Sequence, residues 1–448
     1  MTRTSLVSFL LLLCVAGTLT AQEHEHAGAA DSVARDSVAE STAGVVEGMR
    51  PGPIGEPRNR ESSGTAWLPD VSPMHALHGQ GAGWELMLHG SLYVHYLDDG
   101  GERGREQFGS TNWAMGMARR PVLGGDMTLR AMLSADPVTA DECGYPDLLA
   151  TGEFCDDEPL HDRQHPHDVW MELTAVYERA VAENLAIQLY GGPVGEPALG
   201  PVAFPHRISS FPNPIAPIGH HWLDSTHIAF GVATAGLYGR RWKAEASLFN
   251  GREPDGDRFD LDLDALDSYA ARLWLLPSEG WALQVSAGRL NDAEVHEVGD
   301  PRIDLTRVTM SATYHRPLAR DGLWANSMAW GRNREGSTAT QALLLETEVN
   351  LAERDLFYGR LEIVEKTGHD LVLPEELEEL RFTVGKLGLG YVRQLEPVAG
   401  LAPGVGAGVT LARVPAGLEP FYGSRSPTGL QLFFRLRPAP MGAEAHAH

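Results

Sequence analysis

Two histidine-bearing stretches hold the residues most able to do chemistry. GHHWLDSTH, residues 219–227, sets His220, His221, Asp224 and His227 within eight positions. In a helix, His220, Asp224 and His227 fall at i, i+4 and i+7 on one face, a spacing that suits metal ligands. At the entry to a strand, the same residues form a loop-to-strand junction, and that is the setting the surrounding pattern favours. LHDRQHPHD, residues 160–168, adds His161, Asp162, His165, His167 and Asp168. His-x-His on an extended chain can turn two rings toward one ion. Imidazole suits zinc, copper, nickel or iron, and carboxylate adds harder character. The candidate metal set is therefore His165, His167, Asp168, His220, His221 and Asp224, with copper or zinc as the ion. Against it stands a structural role, in which these side chains hold their loops to a wall by hydrogen bonds. Ser225, between Asp224 and His227, also allows a Ser/His/Asp hydrolase to be written, but no G-x-S-x-G turn supports it. H-E-x-x-H and Gly-rich phosphate signatures are absent from the sequence.

The elements that must position these residues read as strands. In QALLLETEVNL, Leu343, Leu345, Val349 and Leu351 alternate with Glu346, Glu348 and Asn350. In LFYGRLEIVEK, Phe357, Leu361 and Ile363 oppose Arg360, Glu362 and Lys366, and in DLTRVTMSATYH, Val308 and Met310 oppose Arg307 and Thr309. Period-two alternation over about ten residues marks a strand with one apolar and one polar face. About sixteen such segments run between residues 83 and 437, and long connections mostly alternate with short ones. That alternation predicts an all-β fold: a transmembrane antiparallel up-and-down β-barrel, with short turns at one end and long loops at the other. A secreted β-sandwich or propeller is the alternative. Sixteen strands leave room for an aqueous lumen. The polar faces place Glu172, Arg307, Glu346, Glu348, Arg360 and Glu362 inside it, together with His89, His95, Glu178, Arg272, His315 and Lys366.

Residues 1–21 read as a secretory signal peptide: Arg3, an apolar run to Leu19, then a small residue at the cut. Residues 22–82 read as a disordered periplasmic linker and 438–448 as a His-containing C-terminal tail. Export makes a loop-closing disulfide between Cys143 and Cys155 the expectation. A formal charge of −24 argues against nucleic acid as a partner. It leaves outer-membrane lipid, small solutes or metal ions, with self-association into a homo-oligomer open. The loop 192–225 carries seven prolines among Val202, Phe204, Phe211, Ile215 and Ile218, a composition that fixes its course and suits packing inside the lumen.

LHDRQHPHD, YGGPVGEPALGPVAFPHR, GHHWLDSTHI and FNGREPD resemble motifs of a group of bacterial outer-membrane β-barrel proteins of uncharacterised activity, over roughly residues 84–372. The resemblance carries over no catalytic or binding residues. The chain is also similar to porin-like barrels, departing from them in its histidine-rich loops and C-terminal extension. The expected function is a porin-like channel in the outer membrane of a Gram-negative-type bacterium, passing small hydrophilic solutes or ions, with loop 192–225 constricting or plugging the lumen. Binding or transport of copper or zinc through the histidine loops is the second expectation, and an outer-membrane hydrolase the third.

Overall fold

A computed structural model of the chain describes residues 49–141, 143–155, 158–294 and 302–440. The signal peptide, residues 22–48 of the expected linker and the histidines of the C-terminal tail lie outside them.

Sixteen antiparallel strands follow the predicted segments closely. They are β1 Trp84–Asp99, β2 Glu106–Val122, β3 Gly125–Leu133, β4 Trp170–Ala182, β5 Leu185–Val194, β6 Val232–Gly239, β7 Trp242–Phe249 and β8 Ser268–Leu275. The second half comprises β9 Trp281–Glu294, β10 Ile303–Pro317, β11 Leu323–Glu335, β12 Thr338–Leu351, β13 Asp355–Thr367, β14 Arg381–Gln394, β15 Leu401–Arg413 and β16 Thr428–Pro438. Each pairs with its chain neighbours, and β16 pairs with β1 from Gly429↔Asp99 to Leu436↔Leu92, so the barrel closes; a short strand, Leu77–Gly81, pairs with Trp84–Leu88 of β1 beyond that seam.

The faces are inverted relative to a soluble protein. Met310, Leu345, Phe357, Leu361 and Ile363 are exposed on the outside, while Arg307, Glu346, Glu348, Arg360 and Glu362 are each at most 4% exposed. An apolar outside, a polar inside and a closed ladder are what lipid demands of a spanning β-structure. Short turns gather at one rim. At Leu123-Gly124, φ values of 51° and 76° give the left-handed pair that a two-residue hairpin needs. Trp281–Tyr314 (4.7 Å), Tyr314–Trp324 (6.1 Å) and Phe357–Tyr391 (5.1 Å) pack ring against ring at that rim, as an interfacial aromatic girdle does.

Three segments fill the interior. Residues 50–76, expected to belong to a disordered linker, are folded against the inward wall at the short-turn end. The cause is specific pairing: Arg58 bonds Glu178, and its guanidinium lies 2.5 Å from Glu61 and 3.2 Å from Asp126. Trp67 is buried between Arg60 and Lys243, whose charges stand 4.8 and 4.7 Å from its ring. The middle is taken by the proline-rich connection between β5 and β6. At the long-loop end sits a hairpin, Tyr145–Cys155 with Glu158–Gln164, where the sequence suggested a long loop without strands. Cys143 and Cys155 form a disulfide there, worth roughly 2–3 kcal/mol to the hairpin for so short a closed loop. Leu148 and Leu149 pack with Ile218, Trp222, Leu373 and Tyr422, joining the hairpin to the proline-rich loop and to the β13–β14 and β15–β16 loops.

Candidate functional site: the loop-filled lumen

The proline-rich loop is tied to the wall mainly by its backbone and by one arginine. Proline removes donors and fixes φ, so the loop's backbone bonds to itself are short-range turns, such as His206 N to the Ala203 carbonyl (2.9 Å) and Asn213 N to the Ser210 carbonyl (2.9 Å), and other carbonyls face the wall. Arg360 on β13 donates to the Ile215 carbonyl (2.8 Å) and to Ser210 Oγ (2.7 Å). Arg307 on β10 and Asn333 on β11 both donate to the His221 carbonyl, at 2.5 and 2.9 Å. Glu362 accepts from the Gly219 amide at 3.0 Å. At the centre Arg207, 1% exposed, donates to Glu346 (2.6 Å), to Asp224 (3.1 Å) and to the Val202 carbonyl (2.7 Å). Glu346 also accepts from Arg360 at 2.8 Å, so one wall carboxylate holds a loop arginine and a wall arginine together. Of the remaining lumen candidates, Glu172 accepts from Thr174 (2.7 Å) and Tyr190 (3.2 Å). Glu348 lies buried on the same face as Glu346, nearer the short turns.

GHHWLDSTH folds as one helical turn, His220–Leu223, then a 3-10 turn, Ser225–His227. The strand begins at Val232 instead of Thr226, which corrects the junction expected from the sequence. The helix forms because Asp224 Oδ1 lies 2.9 Å from His220 Nδ1 across one turn while its Oδ2 accepts from the Phe204 amide at 2.8 Å. Gly331 on β11 gives the turn its seat: a Cβ there would collide with the Trp222 carbonyl oxygen. Gly331→Ala is accordingly expected to displace residues 219–227 at a cost of about 1–3 kcal/mol. Hydrogen exchange should quicken there and stay unchanged in the barrel strands.

The two histidine motifs do meet, through ring contacts. His165 and His221 lie 6.0 Å apart between ring centroids, His167 and His227 5.5 Å, and His220 and His227 5.1 Å. His167, His220 and His227 surround the ring of Phe204 at 5.7, 5.3 and 5.7 Å. Their polar atoms are engaged elsewhere: His167 Nδ1 lies 2.8 Å from Asp136, and Asp168 faces Arg258 at 3.6 Å. The six predicted ligands therefore do not converge on one point. Among the described residues, the donor atoms that gather within 4.8 Å around a histidine are those of His221, Glu253 and Glu294, at a cavity of about 280 Å³ in the long-loop end. Ser225 accepts from Arg307 at 2.9 Å and His227 Nδ1 faces the Asp224 backbone carbonyl at 2.9 Å, so the Ser/His/Asp set is not assembled.

Burial pushes the His227 imidazole down to about 3 and that of His165 well below its usual value. For Asp224, burial acts the other way, but the His220 hydrogen bond and the Arg207 charge hold its carboxyl below the usual range. A released loop would take up protons on histidine from about pH 6.5 downward, while the packed loop does not until near pH 3. Protonation of Asp224 at lower pH disfavours packing in the same direction. Loop packing is thus complete above about pH 6.5 and lost as pH falls from there toward 3. Exchange over residues 200–227, corrected for its intrinsic pH dependence, should rise on acidification from pH 7 and stay flat from 7 to 9.

Sequence reasoning missed the N-terminal contributors Arg58, Arg60 and Trp67, and also Glu253 and Glu294. The one available signal was Ile54, Arg58, Arg60 and Trp67 within a stretch otherwise rich in Gly, Pro and Ser.

No family model matches the chain, and no curated protein sequence does. Among solved structures, similar ones include an anion-selective porin from Comamonas acidovorans, at 12% identity over 79% of this chain and 99% of that one, TM-score 0.47. OprB of Pseudomonas putida (10%, 80% and 94%, TM-score 0.49) and the outer membrane channel DcaP of Acinetobacter baumannii (11%, 81% and 100%, TM-score 0.45) are others. The closed ladder of the chain itself carries the fold assignment: a sixteen-strand antiparallel membrane barrel.

Proposed function

We propose that the chain is an outer-membrane channel held closed by its own proline-rich loop and N-terminal segment, passing small hydrophilic solutes or ions when these move. The observation that carries this reading is the partnership of the wall charges. Arg307, Glu346, Arg360 and Glu362 bond to the loop, and water can replace each of those contacts when the loop leaves. Beyond the Glu346–Arg360 pair, these charges are turned to the loop, where a barrel built only for rigidity would carry apolar residues, a replacement that is often neutral or stabilising. Planar-bilayer recording tests it: a variant lacking residues 198–218 should conduct steadily where the intact chain is mostly silent. Absence of conductance in a folded variant lacking both residues 49–72 and residues 198–218 would reject the channel.

A transition-metal ion as cargo is the second reading, favoured by the convergence of His221, Glu253 and Glu294 at the long-loop mouth. Zinc titration of the intact chain against Glu253→Gln/Glu294→Gln distinguishes it, since equal affinity in both would dismiss it.

A further inference from the structure

A second cavity, also about 280 Å³, lies toward the short-turn end and is lined by methionine and histidine. Met49, Met74, Met87, Met115 and Met117 border it, five of the chain's 12 methionines, together with His75, His78, His89 and His206. The register of the first hairpin explains the concentration. Met87 and His89 share the inward face of β1, and Met115 and Met117 share that of β2. The pairing sets Met87 opposite Met117 and His89 opposite Met115. Leu86 and Leu88, the intervening residues of β1, are exposed, and Leu86 also borders the cavity. Four donors thus form a square on the wall. His89 Nε2 lies 3.0 Å from Met115 Sδ, and the His206 ring, carried in by the proline-rich loop, stands 5.5 Å from that of His89. Trp113 covers His206 at 4.6 Å between ring centroids.

Methionine usually serves as an adaptable filler of apolar gaps. Two observations argue for more here. The thioethers border a cavity as well as packing in the wall, and they are interleaved with imidazoles, whose burial among apolar atoms has a cost unless a partner is found. The row also continues away from the cavity: Met132 pairs with Met115 across β2 and β3, and Met171 packs in the same cluster. Thioether with imidazole is the donor set of a soft monovalent d10 cation. The two carboxylates that also line the cavity are taken up by arginines, Glu61 by Arg58 (2.5 Å) and Arg119 (2.8 Å) and Glu85 by Arg50 (2.5 Å).

We infer that Met87, His89, Met115 and Met117, closed over by His206, form a binding site for a soft monovalent metal cation of the copper(I) class. The site is independent of whether the barrel conducts, and it is distinct from the His221–Glu253–Glu294 group at the other end.

The test uses the purified full chain in detergent, titrated with silver(I) as an air-stable probe and with copper(I) under chelator competition. One tight equivalent is expected, with sulfur scattering in the X-ray absorption of the bound metal. Met87→Leu/Met117→Leu keeps the volume and the fold. It should weaken silver(I) on the order of 100-fold or more while leaving zinc(II) titration at the long-loop end unchanged. Wild-type affinity in that variant, no binding by the intact chain, or scattering from nitrogen and oxygen alone would each overturn the assignment. The absorption measurement needs only the intact chain, so it decides the matter even if the variant does not fold.

Discussion

Arg207→Ala is expected to free the proline-rich loop from the wall and turn a mostly silent barrel into a conducting one. Arg207 is the one loop side chain that reaches both a wall carboxylate, Glu346, and the loop's own Asp224, and it also donates to the Val202 carbonyl. Removing one partner of a buried ion pair costs about 3–5 kcal/mol, because the other charge is left uncompensated. Here that cost falls on the packed loop, since Glu346 and Asp224 recover water when the loop leaves. Loops that pack by polar contacts occupy the low end of a protein's stability range, so the barrel strands should be unaffected. Hydrogen exchange over residues 198–218 should rise at least a hundredfold, by the rule of about 1.4 kcal/mol per factor of ten. Arg207→Lys should behave much like the alanine variant, because a single ammonium cannot fork between Glu346 and Asp224 as the guanidinium does. Unchanged exchange in both variants would contradict the account.

The second large effect is non-additive. The N-terminal segment and the proline-rich loop stand in series along the lumen, the first bonded to Glu178, Arg130 and Arg272 near the short turns, the second to Glu346, Arg360 and Arg307. Resistances in series are governed by the larger one. Deleting residues 49–72 alone should therefore raise conductance little, and deleting 198–218 alone should raise it only as far as the N-terminal segment permits. The double deletion should exceed the sum of the two severalfold. Bilayer recordings of the three variants check this, and simple additivity would show that the segments do not obstruct one path.

The barrel was legible because its code is local. Alternation such as Leu345-Glu346-Thr347-Glu348-Val349 needs only the neighbouring residues to assign an inward and an outward face, and every predicted strand is present. The inward placement of Arg307, Glu346, Arg360 and Glu362 followed from the same rule. What fills the barrel was less legible, because it is decided by pairs remote in sequence. Arg58 meets Glu178 across 120 positions and Arg207 meets Glu346 across 139, and apart from Ile54 and Trp67 nothing near Arg58 distinguishes it from an arginine in a solvated linker. GHHWLDSTH was read as a strand entrance because Thr226 and His227 abut an apolar alternation. The helical turn instead depends on Asp224 bonding His220 and Phe204, and on the gap that Gly331 leaves in a strand over 100 residues away. Whether the two histidine motifs meet was not legible in the sequence; in the structure their rings pack around Phe204, and Glu253 and Glu294 carried no spacing that would have linked them to His221.

The central claim is that the proline-rich loop occupies the path through the barrel, and a reversible staple tests it most directly. Ser209 on the loop and Ser327 on β11 bring their hydroxyl oxygens within 2.8 Å, both buried, so cysteines at these two positions lie within reach of a disulfide. In the Arg207→Ala background, the stapled Ser209→Cys/Ser327→Cys barrel should be silent in a planar bilayer and should conduct on adding a thiol reductant. Arg207→Ala without the new cysteines should conduct equally with and without reductant, which separates the staple from reduction of Cys143–Cys155. Equal conductance of the stapled and reduced barrels would mean that the loop does not block the path.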